Sequence, residues 1–211
     1  MQDKIEKDKE PIKGFFDILE SFVLAIACVI FFFIFAARLS IVDGSSMNST
    51  LYNKDYLIVF NLFFTYEPKN NDIVVVHGGL YAEHENGSGE EYSVPIVKRV
   101  VATEGQTIEI DYTTSQVYID GKLLDEEYAQ YINPGYISIS GGYSPYSFFY
   151  EHYNEDTGIF TATVPQGTVF VMGDNRNHSA DSRIFGFVPK EYIVGKVIFR
   201  IFPFSRAGLV R

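Results

Sequence analysis

The stretch "TIEIDYTTSQVYIDGKLL" (residues 107–124) decides the fold class, because it alternates apolar and polar residues. A period of two is typical of a β-strand with one buried face. Asp120 and Gly121 interrupt the alternation, and an Asp-Gly pair between two such runs is a strong signal for a type I′ turn. The stretch therefore predicts a β-hairpin with antiparallel strands.

Further strand-like runs lie on either side of this hairpin. Each is short, rich in Val, Ile and Phe, and bounded by Gly, Pro, Asn or Asp. They are "DYLIVF" (55–60), "DIVVVH" (72–77), "IVKRVVA" (96–102), "TVFVMG" (168–173) and "YIVGKVIFRIF" (192–202). We expect a mainly β fold, in which an antiparallel β-sheet forms the main domain.

Two segments differ from this framework. Residues 78–93 are rich in Gly, Glu and Ser without periodicity, which predicts a surface loop. Residues 125–164 combine turn signals with the aromatic cluster "YSFFYEHY" (146–153), and we interpret them as a smaller inserted β subdomain or cap. The main β domain is then formed by residues 41–124 and 165–211.

One apolar run, "SFVLAIACVIFFFIFAA" (21–37), carries no charge. Its length lies at the short end of the ~17–25 residues that span a bilayer, which favours a transmembrane anchor over residues 21–40. A cleaved signal peptide is an alternative because Ala36 and Ala37 are small, but the run exceeds the usual ~7–15 apolar residues of such peptides. A buried core helix is a third interpretation.

The charges around the run predict its direction. Four lysines precede it, and only Arg38 and Lys54 follow it closely. Because cytoplasmic flanks carry the excess of Lys and Arg, we expect residues 1–20 to lie in the cytoplasm and the remainder outside. The protein is then a single-pass protein of the cell membrane, with the lipid bilayer as a partner.

Composition excludes several functions. The formal net charge of −10 argues against binding nucleic acid, since that affinity depends on Lys and Arg. Cys28 is the single cysteine and lies in the apolar run, so no disulfide or cysteine-based metal site is expected. His77, His84 and His152 lack metal-ligand spacing. We expect no metal and no cofactor.

A hydroxyl-rich run, "DGSSMNSTL" (43–51), follows the apolar segment. A serine hydroxyl needs an adjacent base to act as a nucleophile. One candidate base is His178, with Asp174 or Asp181 nearby, which would form a Ser-His-Asp arrangement. The other is Lys98, which interrupts an apolar strand, because burial favours the neutral amine of a lysine.

Four motifs follow the apolar run in a fixed order. They are "GSSMNSTL" (44–51), "NDIVVV" (71–76), "VKRVVATEGQ" (97–106) and "GDNRNHSADSRIFGFVP" (173–189). This series resembles the type I signal peptidases, which are membrane-bound Ser/Lys proteases that remove signal peptides from exported preproteins. The resemblance extends from the anchor to about Pro203 and makes the main β domain the catalytic domain.

The resemblance implies a role for each matching residue. Ser46, directly before the methionine, matches the nucleophile, and Lys98, directly before Arg99, matches the general base. Ser179 matches a serine that orients the lysine. The position of His178 varies among such enzymes, which disfavours the histidine arrangement. Two ion pairs near the site are also implied, Arg99 with Asp174 and Asp181 with Arg183.

The expected substrates are the signal peptides of preproteins, cut after an A-x-A pattern. We expect a shallow substrate pocket lined by Val42, Asp43, Met47 and Ile96. The substrate would bind in an extended form, beside residues 41–44 or 94–97. Since Ser46 lies nine residues after Ala37, its hydroxyl is at most ~30 Å from the end of the span. The active site is thus expected near the membrane.

Two positions depart from the pattern of these enzymes. The oxyanion hole is expected at the Ser46 N–H and residue 44, where some members supply a hydroxyl and this chain has Gly44. Ser49 stands where a proline is usual. This second departure suggests a specialised relative that serves surface-fibre (pilus) subunits, either as a protease or as a non-catalytic assembly factor. Pilus subunits and the secretion machinery are therefore further candidate partners.

Overall fold

The computed structural model describes residues 9–35, 37–60, 66–78, 94–130 and 147–211. The chain divides into two units, Met1–Arg38 and Leu39–Arg211. Most of the predicted loop 78–93 and part of the predicted insert, residues 131–146, lie outside the described residues. Lys4 and Lys7, on which the predicted orientation partly depends, also lie outside them.

The first unit contains one long helix, α1 (Lys9–Phe35). Its segment Gly14–Phe31 is long and apolar enough to cross a membrane, and none of it is buried within the structure. Eighteen helical residues extend about 27 Å, close to the thickness of the hydrocarbon core. The helix begins well before the predicted anchor, because Glu20, which precedes the uncharged run, does not interrupt a helical backbone. It ends at Phe35, and a strand begins at Ala37, inside the predicted anchor 21–40.

The strands form two sheets. In chain order they are β1 (Ala37–Ile41), β2 (Tyr56–Phe60), β3 (Ile73–Val76), β4 (Ile96–Thr103), β5 (Thr107–Asp111), β6 (Gln116–Ile119), β7 (Lys122–Leu123), β8 (Tyr153–Asn154), β9 (Ile159–Thr163), β10 (Thr168–Met172), β11 (Val188–Pro189), β12 (Ile193–Phe202) and β13 (Gly208–Leu209). The short helices α2 (Ser147–His152) and α3 (Ser182–Phe185) lie among them. The prediction of a mainly β fold is confirmed.

The main sheet has the strand order β1-β2-β12-β3-β4-β10-β11, and β13 pairs with β12. The pairs β2–β12, β12–β3, β3–β4 and β4–β10 are antiparallel. Each strand-like run that the sequence singled out around the hairpin forms one of these five strands. Their Val and Ile content suits them to a sheet interior, where branched side chains pack against their neighbours.

The second sheet has the order β7-β6-β5-β9-β8. Asp120 and Gly121 connect β6 to β7 with φ values of 50° and 73°, as a type I′ turn requires. The sheet takes β5 to β7 from residues 107–123, whereas the predicted insert 125–164 contributes α2, β8 and β9.

One apolar cluster joins the two sheets. Val101 of β4 and Phe170 of β10 contribute to it from the main sheet, and Ile108 of β5 and Phe160 of β9 contribute from the second sheet. Phe149 of α2 completes it, with its ring stacked on Phe160 at a centroid distance of 5.8 Å. The aromatic run of the predicted insert therefore has a packing role here.

Replacing Phe160 with Ala should destabilise the β-rich unit, because the ring is fully buried between the sheets. We expect the free energy of unfolding to fall by about 3–5 kcal/mol. Urea denaturation in detergent, followed by the near-UV circular dichroism of the tyrosines, measures this change. Leu123→Ala is the control, since Leu123 is 58% exposed on β7. An equal loss of stability in both variants would contradict the assigned core.

Candidate active site

The hydroxyl-rich run forms a tight loop after β1. Met47 and Leu51 are buried, with exposed fractions of 1% and 0%, and pack with Leu57 of β2 in one apolar cluster beneath the loop. The Leu51 N–H donates to the Met47 carbonyl at 2.8 Å, so the loop turns once between these two anchors. Ser46, just before the first anchor, is half-buried at the surface of this core.

Lys98 is the third residue of β4, and its side chain reaches this serine. Its Nζ donates to Ser46 Oγ at 2.9 Å and to the Val97 carbonyl at 3.1 Å. The side chain is buried, at 3% exposure. Burial lowers the pKa of the Lys98 ammonium to about 8, although the negative charge of Asp181 opposes this effect. About a tenth of Lys98 is therefore neutral at pH 7, and this fraction can accept a proton, whereas an ordinary lysine is almost fully charged there.

The segment after β10 is the third part of the site, beside the nucleophile loop and β4. The Asn175 N–H donates to the Ser46 carbonyl at 2.9 Å, and its side-chain amide donates to the Ser45 carbonyl at 3.2 Å. A Cβ on Gly173 would lie 2.5 Å from the Ser46 carbonyl oxygen and 2.3 Å from Ser179 Oγ. Only glycine permits this approach, so Gly173 sets how closely the segment meets the nucleophile loop.

Ser179 lies against Gly173 rather than on Lys98. Its hydroxyl is buried and has no hydrogen bond of good geometry to any described residue. It lies close enough to Asp181 to help to lower the pKa of that carboxyl. The structure thus brings Ser179 into the site without giving it the contact with Lys98 that the sequence predicts.

Arg99 points away from Lys98, as strand alternation requires, and pairs with Asp174. Arg99 Nε and Nη2 each lie 2.8 Å from one carboxylate oxygen of Asp174, and both side chains are buried. The Thr50 hydroxyl also donates to Asp174, which links the nucleophile loop to the pair. A bidentate geometry of this kind fixes both partners.

Asp181 and Arg183 form the second buried ion pair, with Nε and Oδ1 2.8 Å apart. Burial alone would raise the pKa of the Asp181 carboxyl, but the charge and hydrogen bonds of Arg183 outweigh it and hold the pKa below its ordinary value. Asp181 also accepts from the Gly173 N–H at 2.9 Å and caps α3. This carboxylate therefore fixes the turn that carries Gly173 and Ser179.

The residues predicted for the oxyanion hole and the substrate pocket have different environments. The Gly44 N–H donates to Asn53 Oδ1 at 3.3 Å, and Gly44 has a φ of 99°, which favours glycine. Val42 and Met47 are buried in the apolar cluster beneath the loop. Asp43 is exposed, and Ile96 is half-buried against another cluster.

The alternative base, His178, has an exposed side chain at the end of a 3₁₀ turn (Arg176–His178). The Ser46 hydroxyl receives its hydrogen bond from Lys98 instead. Among the described residues, no group of His, Cys, Asp and Glu could hold a metal ion.

Sequence reasoning missed several supports of the loop. Arg200 of β12 donates to the Thr50 carbonyl at 2.9 Å and pairs with the buried Asp55 at 3.1 Å. Asn53 and Asn175 also hold the loop. Asn175 lies inside the last motif, so the motif could have indicated its role. Arg200 lies in a strand that is recognised by its apolar residues, and these give no indication of a role for an arginine.

A hydroxyl held 2.9 Å from an amine with a pKa of about 8 can lose its proton to the neutral form of that amine and attack a carbonyl carbon. The arrangement therefore fits acyl transfer through a covalent serine intermediate. No cofactor is required for such a reaction.

Comparison with known proteins finds several relatives of this chain. The family described as "Signal peptidase, peptidase S26" matches residues 15–202. A probable signal peptidase I-1 of Synechocystis is 35% identical over 88% of this chain and 80% of its own length. Signal peptidase I of Bacillus caldolyticus is 38% identical over 79% of this chain and 80% of its own length.

Among solved structures, a signal peptidase I of Enterococcus faecalis is 28% identical, covers 62% of this chain and 97% of its own, and has a TM-score of 0.40. The match of the family over most of the chain, together with the Synechocystis and Bacillus relatives, decides its classification. The chain belongs to the signal peptidase I family and is a peptidase.

Proposed function

We propose that this protein is a membrane-bound serine endopeptidase that removes signal peptides from exported preproteins with a Ser46–Lys98 dyad. The observation that carries the proposal is the 2.9 Å hydrogen bond between Lys98 Nζ and Ser46 Oγ in a buried site. Membership of the signal peptidase I family supplies the substrate class.

The reaction proceeds in two acyl-transfer steps. Neutral Lys98 accepts the Ser46 proton as Ser46 Oγ attacks the scissile carbonyl, and the resulting ammonium then protonates the leaving amine. Lys98 next takes a proton from a water that attacks the ester carbonyl and returns it to Ser46 Oγ. The Ser46 N–H is the proposed oxyanion donor, and such donors contribute on the order of 3 kcal/mol. Gly44 has no side-chain donor, and its N–H is bonded to Asn53 Oδ1.

The ion pairs support this dyad without touching the substrate. Arg99 with Asp174 and Asp181 with Arg183 fix the segments that carry Lys98 and Gly173. We propose that the substrate adds an extended strand beside residues 94–97, where Val94 is 61% exposed. Small residues at the first and third positions before the cut then fit a shallow pocket formed beside Val42, Asp43, Met47 and Ile96.

The helix α1 supports a proposed location of the protein in the cell membrane. Its span Gly14–Phe31 anchors the protein in the cell membrane, with the N-terminus in the cytoplasm and the β-rich unit outside. This orientation follows from the lysines that precede the span.

A second candidate function is cleavage dedicated to surface-fibre (pilus) subunits, and it is favoured by Ser49 in place of the usual proline. The secretion machinery or those subunits would then be partners. N-terminal sequencing of surface proteins from cells with wild-type protein and with Ser46→Ala distinguishes the two. Uncleaved precursors of many kinds in the variant indicate the general role, and uncleaved fibre subunits alone indicate the dedicated one.

Removing either member of the dyad should abolish cleavage. Full-length protein in detergent should cut a precursor peptide after its A-x-A site, and Ser46→Ala or Lys98→Met should lower kcat by at least about 10⁴-fold. Mass spectrometry of the products gives both the rate and the bond. Ser45→Ala and Lys122→Met are matched controls, since both residues are exposed. Cleavage by Ser46→Ala at the wild-type rate would rule out the mechanism.

The rate should rise with pH until Lys98 is neutral. Because burial lowers the pKa of Lys98 to about 8, kcat/KM should increase about tenfold per unit below pH 8 and level off above it. A pH–rate profile on the same peptide measures this. His178→Ala should leave the profile unchanged. A plateau beginning near pH 6.5 would instead indicate a histidine base, and a rise continuing past pH 10 would indicate an ordinary lysine.

A further inference from the structure

A short segment connects the second sheet to the proposed active site. This segment, residues 124–130, follows β7 and is called the strap here. The Leu124 N–H still donates to the Val117 carbonyl of the second sheet at 2.8 Å. Six residues later, the Gln130 N–H donates to the Asp174 carbonyl at 2.7 Å. The strap therefore extends from the second sheet to the last catalytic motif.

The strap is fastened to that motif at two points. The Arg176 N–H donates to the Gln130 carbonyl at 3.1 Å, which closes a bridge with the Asp174 contact. Arg176 Nη1 also donates to Glu126 Oε2 at 2.9 Å, and both side chains are nearly buried. Buried charge pairs of this kind hold their partners in one geometry.

Tyr128 covers the Arg99–Asp174 pair. The guanidinium carbon of Arg99 lies 3.8 Å from the centre of the Tyr128 ring, which is a cation–π contact. The Tyr128 hydroxyl donates to Asn71 Oδ1 at 3.2 Å and so fixes the far end of the ring. The ring therefore keeps water from the ion pair next to Lys98, and Arg99 is only 1% exposed.

Ser49 fastens the nucleophile loop to the same segment. Its hydroxyl donates to the Tyr128 carbonyl at 2.7 Å. A proline at this position would have no side-chain or backbone N–H donor that could make this bond.

We propose that the strap holds the Ser46–Lys98 spacing, with Ser49 and Tyr128 as positioning residues. The strap contacts the nucleophile loop through Ser49, β4 through Arg99 and the last motif through Asp174, while none of the strap contacts described above involves the dyad itself. Because the strap contacts all three segments that carry the site residues, it constrains the distances between these segments. The proposal rests on the proposed function, because its kinetic test measures peptide cleavage.

Steady-state cleavage by the full-length protein tests the proposal. Ser49→Ala should lower kcat about fivefold, which is the effect of one ordinary hydrogen bond, and should leave KM unchanged. Ser49→Thr keeps the hydroxyl and should retain wild-type kcat. Tyr128→Leu removes the ring from Arg99 and should lower kcat by about tenfold or more. Glu127→Ala, an exposed change on the same strap, is the control.

Amide hydrogen exchange separates failure of this inference from failure of the proposed function. If wild type cleaves no precursor, the proposed function fails, and the strap is then judged by exchange at Thr50 and Leu51. Faster exchange there in Ser49→Ala and Tyr128→Leu, with Glu127→Ala unchanged, supports the positioning role. Wild-type exchange in both variants overturns it, as does a wild-type kcat for both in an active enzyme.

Discussion

The site depends on one constraint, which is that the Lys98 amine lies in a buried position with its charge disfavoured. An exposed lysine would be protonated at neutral pH and would have no capacity to accept the Ser46 proton. Burial depends on β4 being an internal strand, paired with β3 on one side and β10 on the other. The interior position of this strand therefore determines the chemistry of the Lys98 side chain.

Two buried ion pairs lie around this interior position, and neither leaves a buried charge without partners. The Arg99–Asp174 and Asp181–Arg183 pairs are charged, but each carboxylate accepts both guanidinium bonds and a further donor, so each charge is satisfied. Such pairs contribute geometry rather than net stability. They hold the nucleophile loop and the turn after β10 at fixed positions on either side of Lys98.

The strands and the hairpin could be predicted because they depend on local patterns, such as the alternation in 107–124 and the Asp120-Gly121 turn. Ser46 and Lys98 could be paired because their motifs resemble a known series. The contacts of Tyr128, Arg200 and Gly173 could not be predicted, since each joins residues far apart in sequence. The extent of the second sheet was also not predictable, because β5 to β7 come from outside the apparent boundaries of the insert.

The apolar cluster shared by the two sheets has a consequence for shortening this protein. Val101 and Phe170 come from the strands that carry or precede the site residues, and their packing partners Ile108 and Phe160 belong to the second sheet. A minimal catalytic fragment that omitted residues 105–164 would expose the back of β4 and β10 to water. The second sheet is thus needed to cover the apolar side of the strand that carries Lys98.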